Sequence, residues 1–238
     1  MVEMTHPACK ICAAPTEIQG CVDAGRSCEI AKRIYLPLIG KAIWYLRCGE
    51  CGFIFTQDFD DWSKADFRRY IYNDEYHLAD PGWIDGIREG ENAKTTAIVM
   101  GQYQAKNVLD YGGGHGGMAR MLRDRGIEAE TYDPLFSPTR PSSKFDLVTA
   151  FEVFEHSPRP LATLEEAIGM AGPTAPLLFT TMLHDNVPPQ DVSSWYIAPR
   201  NGHVSIWTRK SLSIAFNRFG WKVVALNGGT HLATRIVK

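Results

Sequence analysis

Several things are missing from this chain, and each absence removes a class of function. No run approaches the roughly 18–20 consecutive apolar residues that a membrane-spanning helix needs, so no membrane partner is expected. Residues 1–10 carry no apolar leader core, so no secretory signal is read and a cytoplasmic protein is expected. Neither sign of charge is in excess: 25 Lys and Arg stand against 27 Asp and Glu, a formal net charge of −2. With no basic run either, nucleic acid is not an expected partner. In a chain without a leader, the six cysteines favour thiols or metal ligands over disulfides. Nothing in the composition speaks to oligomeric state.

What is present is organised around Val108-Leu109-Asp110-Tyr111-Gly112-Gly113-Gly114-His115-Gly116-Gly117. Apolar residues, an acid and a cluster of glycines read as a buried strand ending in a tight turn. Met118, Met121 and Leu122 then recur at helical spacing, with Gly126 placed as a C-cap. Such a unit lets the backbone approach a ligand closely beside a helix N-terminus. Two frames fit the loop. Gly112-x-Gly114-x-x-Gly117 satisfies the dinucleotide fingerprint, and Asp110-x-Gly112-x-Gly114-x-Gly116 is its competitor. Asp110 favours the second, because a carboxylate at a strand's end is costly unless it has a task.

The chain around this loop alternates strands and helices. A helix is expected over 83–100, with Ile84, Ile87, Ala97 and Ile98 apolar. Strands follow at 128–133, 145–150 and 177–181, and Leu161, Leu164, Ala167 and Ile168 mark an amphipathic helix. Asp133 lies at the tip of the second strand, about twenty residues beyond the loop, where an acid can accept both hydroxyls of a ribose. The Pro- and Ser-rich stretch 134–144 predicts an abbreviated crossover without a long helix. Thr208 is a candidate N-cap for a helix carrying Leu212, Ala215 and Phe216. Closing strands at 221–226 and 232–237 flank Asn227-Gly228-Gly229, a hairpin signal. The expected fold is α/β: a Rossmann-like, mostly parallel sheet with an antiparallel last strand, plus a small N-terminal zinc-binding segment.

That segment rests on Cys9-x-x-Cys12 and Cys48-x-x-Cys51, with Gly52 after the second pair. Four thiolates suit tetrahedral Zn²⁺, which would staple a segment too small to bury its own core. Cys21 and Cys28, between the two pairs, could each replace a ligand but read first as ordinary thiols. The expected division is a zinc-knuckle segment at 1–56, a helical linker or lid at 57–100, and the nucleotide-binding domain at 101–238. Residues 57–80 are acidic and aromatic, and read first as a helix–loop packed on the main domain, second as a lid on the acceptor site.

From Val108 onward the sequence resembles the small-molecule branch of the class I S-adenosylmethionine (SAM) methyltransferases, on Asp110 to Gly116, Asp133 and the block Phe145 to His156. The cysteine pairs resemble the zinc module of sugar methyltransferases. The resemblance implies SAM held by Asp110, Tyr111, Gly112, Gly113, Gly114, Gly116, Asp133, Pro134, Phe151 and Glu152. It also implies a small-molecule or sugar-type acceptor, with oxygen as the methylated atom. A narrower resemblance joins Glu152-x-x-Glu155-His156 and His203 to metal-dependent O-methyltransferases. On one helical turn, 152, 155 and 156 would share a face and, with His203, could hold Mg²⁺ or Mn²⁺. In the metal-free alternative, Glu155, His156 and His203 are catalytic as bases or pocket walls. His184 is a further candidate base, and Trp195 and Tyr196 candidate walls. Two other functions stay open: a metal-dependent RNA 2′-O-methyltransferase, and a SAM-binding partner module without catalysis.

Overall fold

The computed structural model describes residues 6–83, 86–137 and 139–236. Ile84 and Val237, expected in a helix and a closing strand, lie outside the described residues. The larger sheet has six strands, in the spatial order 128–132, 107–111, 147–151, 177–180, 230–235 and 221–225. Its strands are β4 (Asn107–Tyr111), β5 (Glu128–Tyr132), β6 (Leu147–Phe151), β7 (Leu177–Thr180), β9 (Trp221–Ala225) and β10 (Thr230–Arg235). β5, β4, β6 and β7 run parallel, and β10 is antiparallel to both β7 and β9. The central strands β4 and β6 are buried almost end to end, as strands covered on both faces must be. The fold class is therefore the expected one.

Helices α3 (Ile87–Tyr103), α4 (Gly117–Arg123), α5 (Pro160–Gly169) and α6 (Arg209–Arg218) cover this sheet. Helix α3 begins later than the expected 83, because Pro81–Trp83 forms a separate 3₁₀ turn and Gly86 enters the helix at φ 68°. Helix α6 starts as expected at Thr208, whose hydroxyl accepts the Ser211 N–H in a capping box. Between β5 and β6 no helix occurs among the described residues, so the crossover is as short as the sequence suggests.

The second sheet is antiparallel, in the order β1-β2-β3-β8, with β1 (Thr16–Asp23), β2 (Ala42–Cys48), β3 (Ile54–Thr56) and β8 (Ser205–Ile206). Its fourth strand comes from late in the chain: Ile54 pairs with Ile206 and Phe55 with Ser205. Small helices α1 (Lys64–Tyr70) and α2 (Tyr76–Ala79) follow it. Ile43, Tyr45, Ile54, Phe67, Tyr196 and Ile206 form one buried cluster, so the N-terminal sheet, α1 and the segment before β8 share a core. No helix among the described residues is long and apolar enough to cross a membrane.

Candidate active site

A cleft of about 750 Å³ opens at the C-terminal ends of β4, β5 and β6, where open α/β sheets bind ligands. The loop after β4 forms its floor. Gly112 and Gly114 adopt φ 73° and 55°, a region costly for side chains. Gly113 is required for space instead: a Cβ there would stand 2.1 Å from Asp110 Oδ2. Asp110 is itself buried, and Thr149 Oγ1 donates to its Oδ1 at 3.2 Å. Burial pushes its carboxyl up to about 7, with the charges of Asp133 and Glu89 adding to the effect. Asp133, at the tip of β5, accepts the N–H of Gly114 (2.9 Å) and of Leu135 (2.7 Å). Tyr111, Gly112, Gly113, Gly114, Pro134 and Phe151 also line the cleft. Gly116 is not on its wall; at φ 77° it turns the chain into α4.

The segment after β6 departs from the helical turn expected of it. Glu152 takes φ 54°, and only Phe154–His156 is helical, as a short 3₁₀ turn. Glu152 consequently points away from its supposed partners and pairs with Arg88 at 3.3 Å, while Arg88 grips Asp80 with two bonds of 2.7 and 3.0 Å. Glu155, His156 and His203 do converge: their ligand atoms lie within 4.8 Å of one another. His203 arrives from the loop before β8, and its ring centre is 4.9 Å from that of His156.

The electrostatics of this trio follow from burial. Glu155 has no exposed surface, and burial pushes it up to about 8, helped by the charge of Glu152. Burial pulls His156 down to about 4, with Arg88 adding to the effect, and holds His203 well below its ordinary value. At neutral pH the carboxyl is mostly protonated and both imidazoles are uncharged. Tyr196 links the set: its hydroxyl donates to Glu155 Oε1 at 2.5 Å, and its carbonyl lies 2.9 Å from His203 Nδ1. A carbonyl only accepts, so Nδ1 carries the proton and Nε2 keeps the lone pair. Tyr72 Oη sits 3.1 Å from His156 Nδ1.

Away from the cleft, the four knuckle thiols meet. Cys9 and Cys51 Sγ are 3.6 Å apart, Cys12 and Cys48 Sγ 3.4 Å, and all four lie within 4.8 Å. Tetrahedral zinc–thiolate bonds of about 2.3 Å place sulfurs about 3.8 Å apart, close to this spacing. The N–H groups of Ile11 and Cys51 point at Cys9 and Cys48 Sγ. Donors aimed at sulfur favour thiolates; within the Cys9–Cys51 pair the shared hydrogen bond pulls Cys9 down and pushes Cys51 up. These four residues could hold a metal. Cys21 is exposed, and Cys28 lines the cleft instead, 3.7 Å from His203 Nδ1.

Sequence reasoning missed Arg88 and Glu89 in the cleft, along with Glu29, Lys32, Asp80 and Arg120. Arg88 and Glu89 lie on the first turn of α3, whose apolar face was the visible signal. Glu89 Oε2 is buried without a partner, beside Gly117. Tyr72 belongs to the aromatic stretch 57–80, where the lid alternative pointed, and lines the cleft, and Trp83, just beyond that stretch, overhangs Gly114. Trp195 and Tyr196 do line the cleft, as expected of acceptor walls, whereas His184 stacks on Tyr196 from behind.

A family model described as a methyltransferase domain matches residues 87–226, more than half of the chain. No curated protein matches the sequence. Among solved structures, an O-methyltransferase family protein from Burkholderia thailandensis is similar at 15% identity and a TM-score of 0.45, over 62% of this chain and 57% of that one. OxaC in complex with SAH and oxaline is similar at 16% identity and a TM-score of 0.40, over 54% and 42%. The methyltransferase domain of bacterial CtHen1-C gives 16% and 0.43, over 61% and 97%. The chain thus spans less than two thirds of the length of the first two.

Proposed function

The chain belongs to this methyltransferase-domain family, and from that premise we propose that it moves a methyl group from SAM to an oxygen of a small-molecule or sugar-type acceptor. The observation that carries the reading is the meeting, on one cleft, of the glycine loop with Asp133 and the uncharged imidazoles of His156 and His203. The cleft fits the cofactor chemically. Asp133 suits ribose hydroxyls, and the orphaned Glu89 oxygen with Asp110 suits the cationic amino-acid end. Tyr111, Gly112, Gly113, Gly114, Pro134, Phe151 and Glu152 complete this side, and Gly116, off the wall, shapes the turn into α4.

When bound, SAM supplies a methyl group activated on a sulfonium. The chain's own residues align the acceptor and exclude water. An oxygen that gains a methyl becomes a strong acid, so a weak, buried imidazole is base enough to take its proton. His203 Nε2 and His156 are the groups for that step. Glu155, protonated and bonded to Tyr196, positions His203 through the Tyr196 carbonyl. Zn²⁺ on Cys9, Cys12, Cys48 and Cys51 is structural in this reading. The chain divides into a zinc segment at 1–56, a linker that forms part of the lid at 57–100, and the methyltransferase domain at 101–238. Calorimetric titration tests the core of the proposal: S-adenosylhomocysteine is expected to bind at micromolar Kd or tighter, about −8 kcal/mol, and NAD not to compete. Binding of NAD with no binding of S-adenosylhomocysteine overturns it.

A second reading has one observation in its favour, the convergence of Glu155, His156 and His203. There the trio holds Mg²⁺ or Mn²⁺ against the acceptor hydroxyl, as an RNA 2′-O-methyltransferase would require. Glu152, engaged by Arg88, is not a fourth ligand without rearrangement.

A further inference from the structure

We infer that the acceptor carries no phosphate or carboxylate and presents a flat apolar face: an uncharged aromatic hydroxyl compound rather than a nucleotide-linked sugar or a nucleic acid. The inference rests on the methyl-transfer reading and refines its substrate. Its first support is the state of the cations. Among the described residues lining the cleft there are three, Lys32, Arg88 and Arg120, and each is already engaged. Lys32 Nζ lies 2.8 and 3.2 Å from the two oxygens of Glu29. Arg88 spans Asp80 and Glu152. Arg120 donates to the carbonyl of His115.

The second support is the excess of acid. Six carboxylates line the same cleft: Glu29, Asp80, Glu89, Asp110, Asp133 and Glu152. Glu29, Asp80 and Glu152 take up Lys32 and Arg88, so an anion entering there would lose hydration and gain no unpaired cation at the acceptor end. The third support is the wall around His156. Tyr72 is ringed by Tyr76, Trp83 and Phe136 at centroid distances of 5.1, 6.1 and 6.2 Å, and Tyr196 lies 4.2 Å from the ring of His203. Such faces stack on planar apolar ligands. Polar atoms at this end include the Tyr72 hydroxyl and the two imidazoles, enough to orient one hydroxyl.

The test uses the full chain saturated with S-adenosylhomocysteine at pH 7.5 and two probes of one shape, 2-naphthol and 2-naphthyl phosphate, titrated by calorimetry. The naphthol is expected to bind at least about tenfold more tightly. Glu29→Gln, which frees Lys32 without changing the shape of the side chain, is expected to tighten the phosphate several-fold and leave the naphthol unchanged. Equal binding of the two probes, tighter phosphate binding, no binding of either, or no response to Glu29→Gln overturns the inference while S-adenosylhomocysteine still binds. Failure of S-adenosylhomocysteine itself to bind removes the methyl-transfer reading first, and the inference with it.

Discussion

The molecule contains two places where metal-ligating side chains converge, and they are built on opposite plans. The four thiols come from two tight turns, are one chemical type, and have Sγ distances of 3.4 and 3.6 Å between partners. The trio in the cleft mixes a carboxyl and two imidazoles from two distant segments, and its members are already bonded to Tyr196 and Tyr72. The first plan leaves the sulfurs no better partner than a cation; the second gives most of its groups a protein partner and leaves one buried oxygen, Glu155 Oε2, without one. Closed four-ligand sets stabilise folds, whereas incomplete sets open to a cleft serve chemistry.

The largest expected effect breaks this contrast at the sulfur end. Cys48→Ser should remove bound zinc and cost more than about 5 kcal/mol of stability, because structural zinc sites couple binding to folding. Elemental analysis with thermal unfolding checks it; a metal-free chain with an unchanged midpoint would show that the thiols are merely packed. At the cleft end, His203→Ala should lower kcat about 10²–10⁴-fold, on top of the stability lost when a buried, hydrogen-bonded ring is truncated. Mild chelation that spares the sulfur site should leave wild-type turnover intact. Loss of turnover on chelation, restored by Mg²⁺ or Mn²⁺, would move the trio into the metal class and erase the contrast.

Two smaller effects sharpen it within the cleft. Asp133→Ala should weaken S-adenosylhomocysteine by about 2–4 kcal/mol in calorimetry, through lost charge-assisted bonds. Asp110 gives a pH signature. Its folded value of about 7 exceeds the ordinary 3.8, so the folded state holds a proton that the unfolded state releases. Stability without ligand should therefore fall as pH rises from about 4 through 7 and then level off. Asp110→Asn should flatten that slope, leaving the chain about 2 kcal/mol more stable at pH 8 in urea unfolding while impairing cofactor affinity. A slope that persists in the variant assigns the titration elsewhere.

The parts legible in the sequence are those set by local rules. Asp110 with its glycines, the Thr208 cap and the Asn227-Gly228-Gly229 hairpin each state their geometry within a few residues. The paired cysteines announced their proximity through spacing alone. Glu152 was misread because helical spacing was assumed where one residue takes φ 54°, and a single backbone reversal redirects a carboxylate. Arg88 and Glu89, and the bond from Tyr72 to His156, were hidden for another reason: their neighbours Asp80, Gly117 and His156 are brought near by packing, which periodicity does not encode. Strand β8 was invisible too, since two residues carry no alternation to read.

That short strand has a consequence for how the protein is made. All four knuckle cysteines are outside the ribosome once residue 51 has emerged, yet β3 has no outer neighbour until residues 205–206 emerge. At 5–20 residues per second the nascent chain carries that open edge for about 8–30 s. Throughout the interval the carbonyl of Cys51 also lacks Thr208, whose hydroxyl later donates to it at 2.6 Å. A cation captured by the thiols in this window would hold the half-built sheet in register while translation catches up.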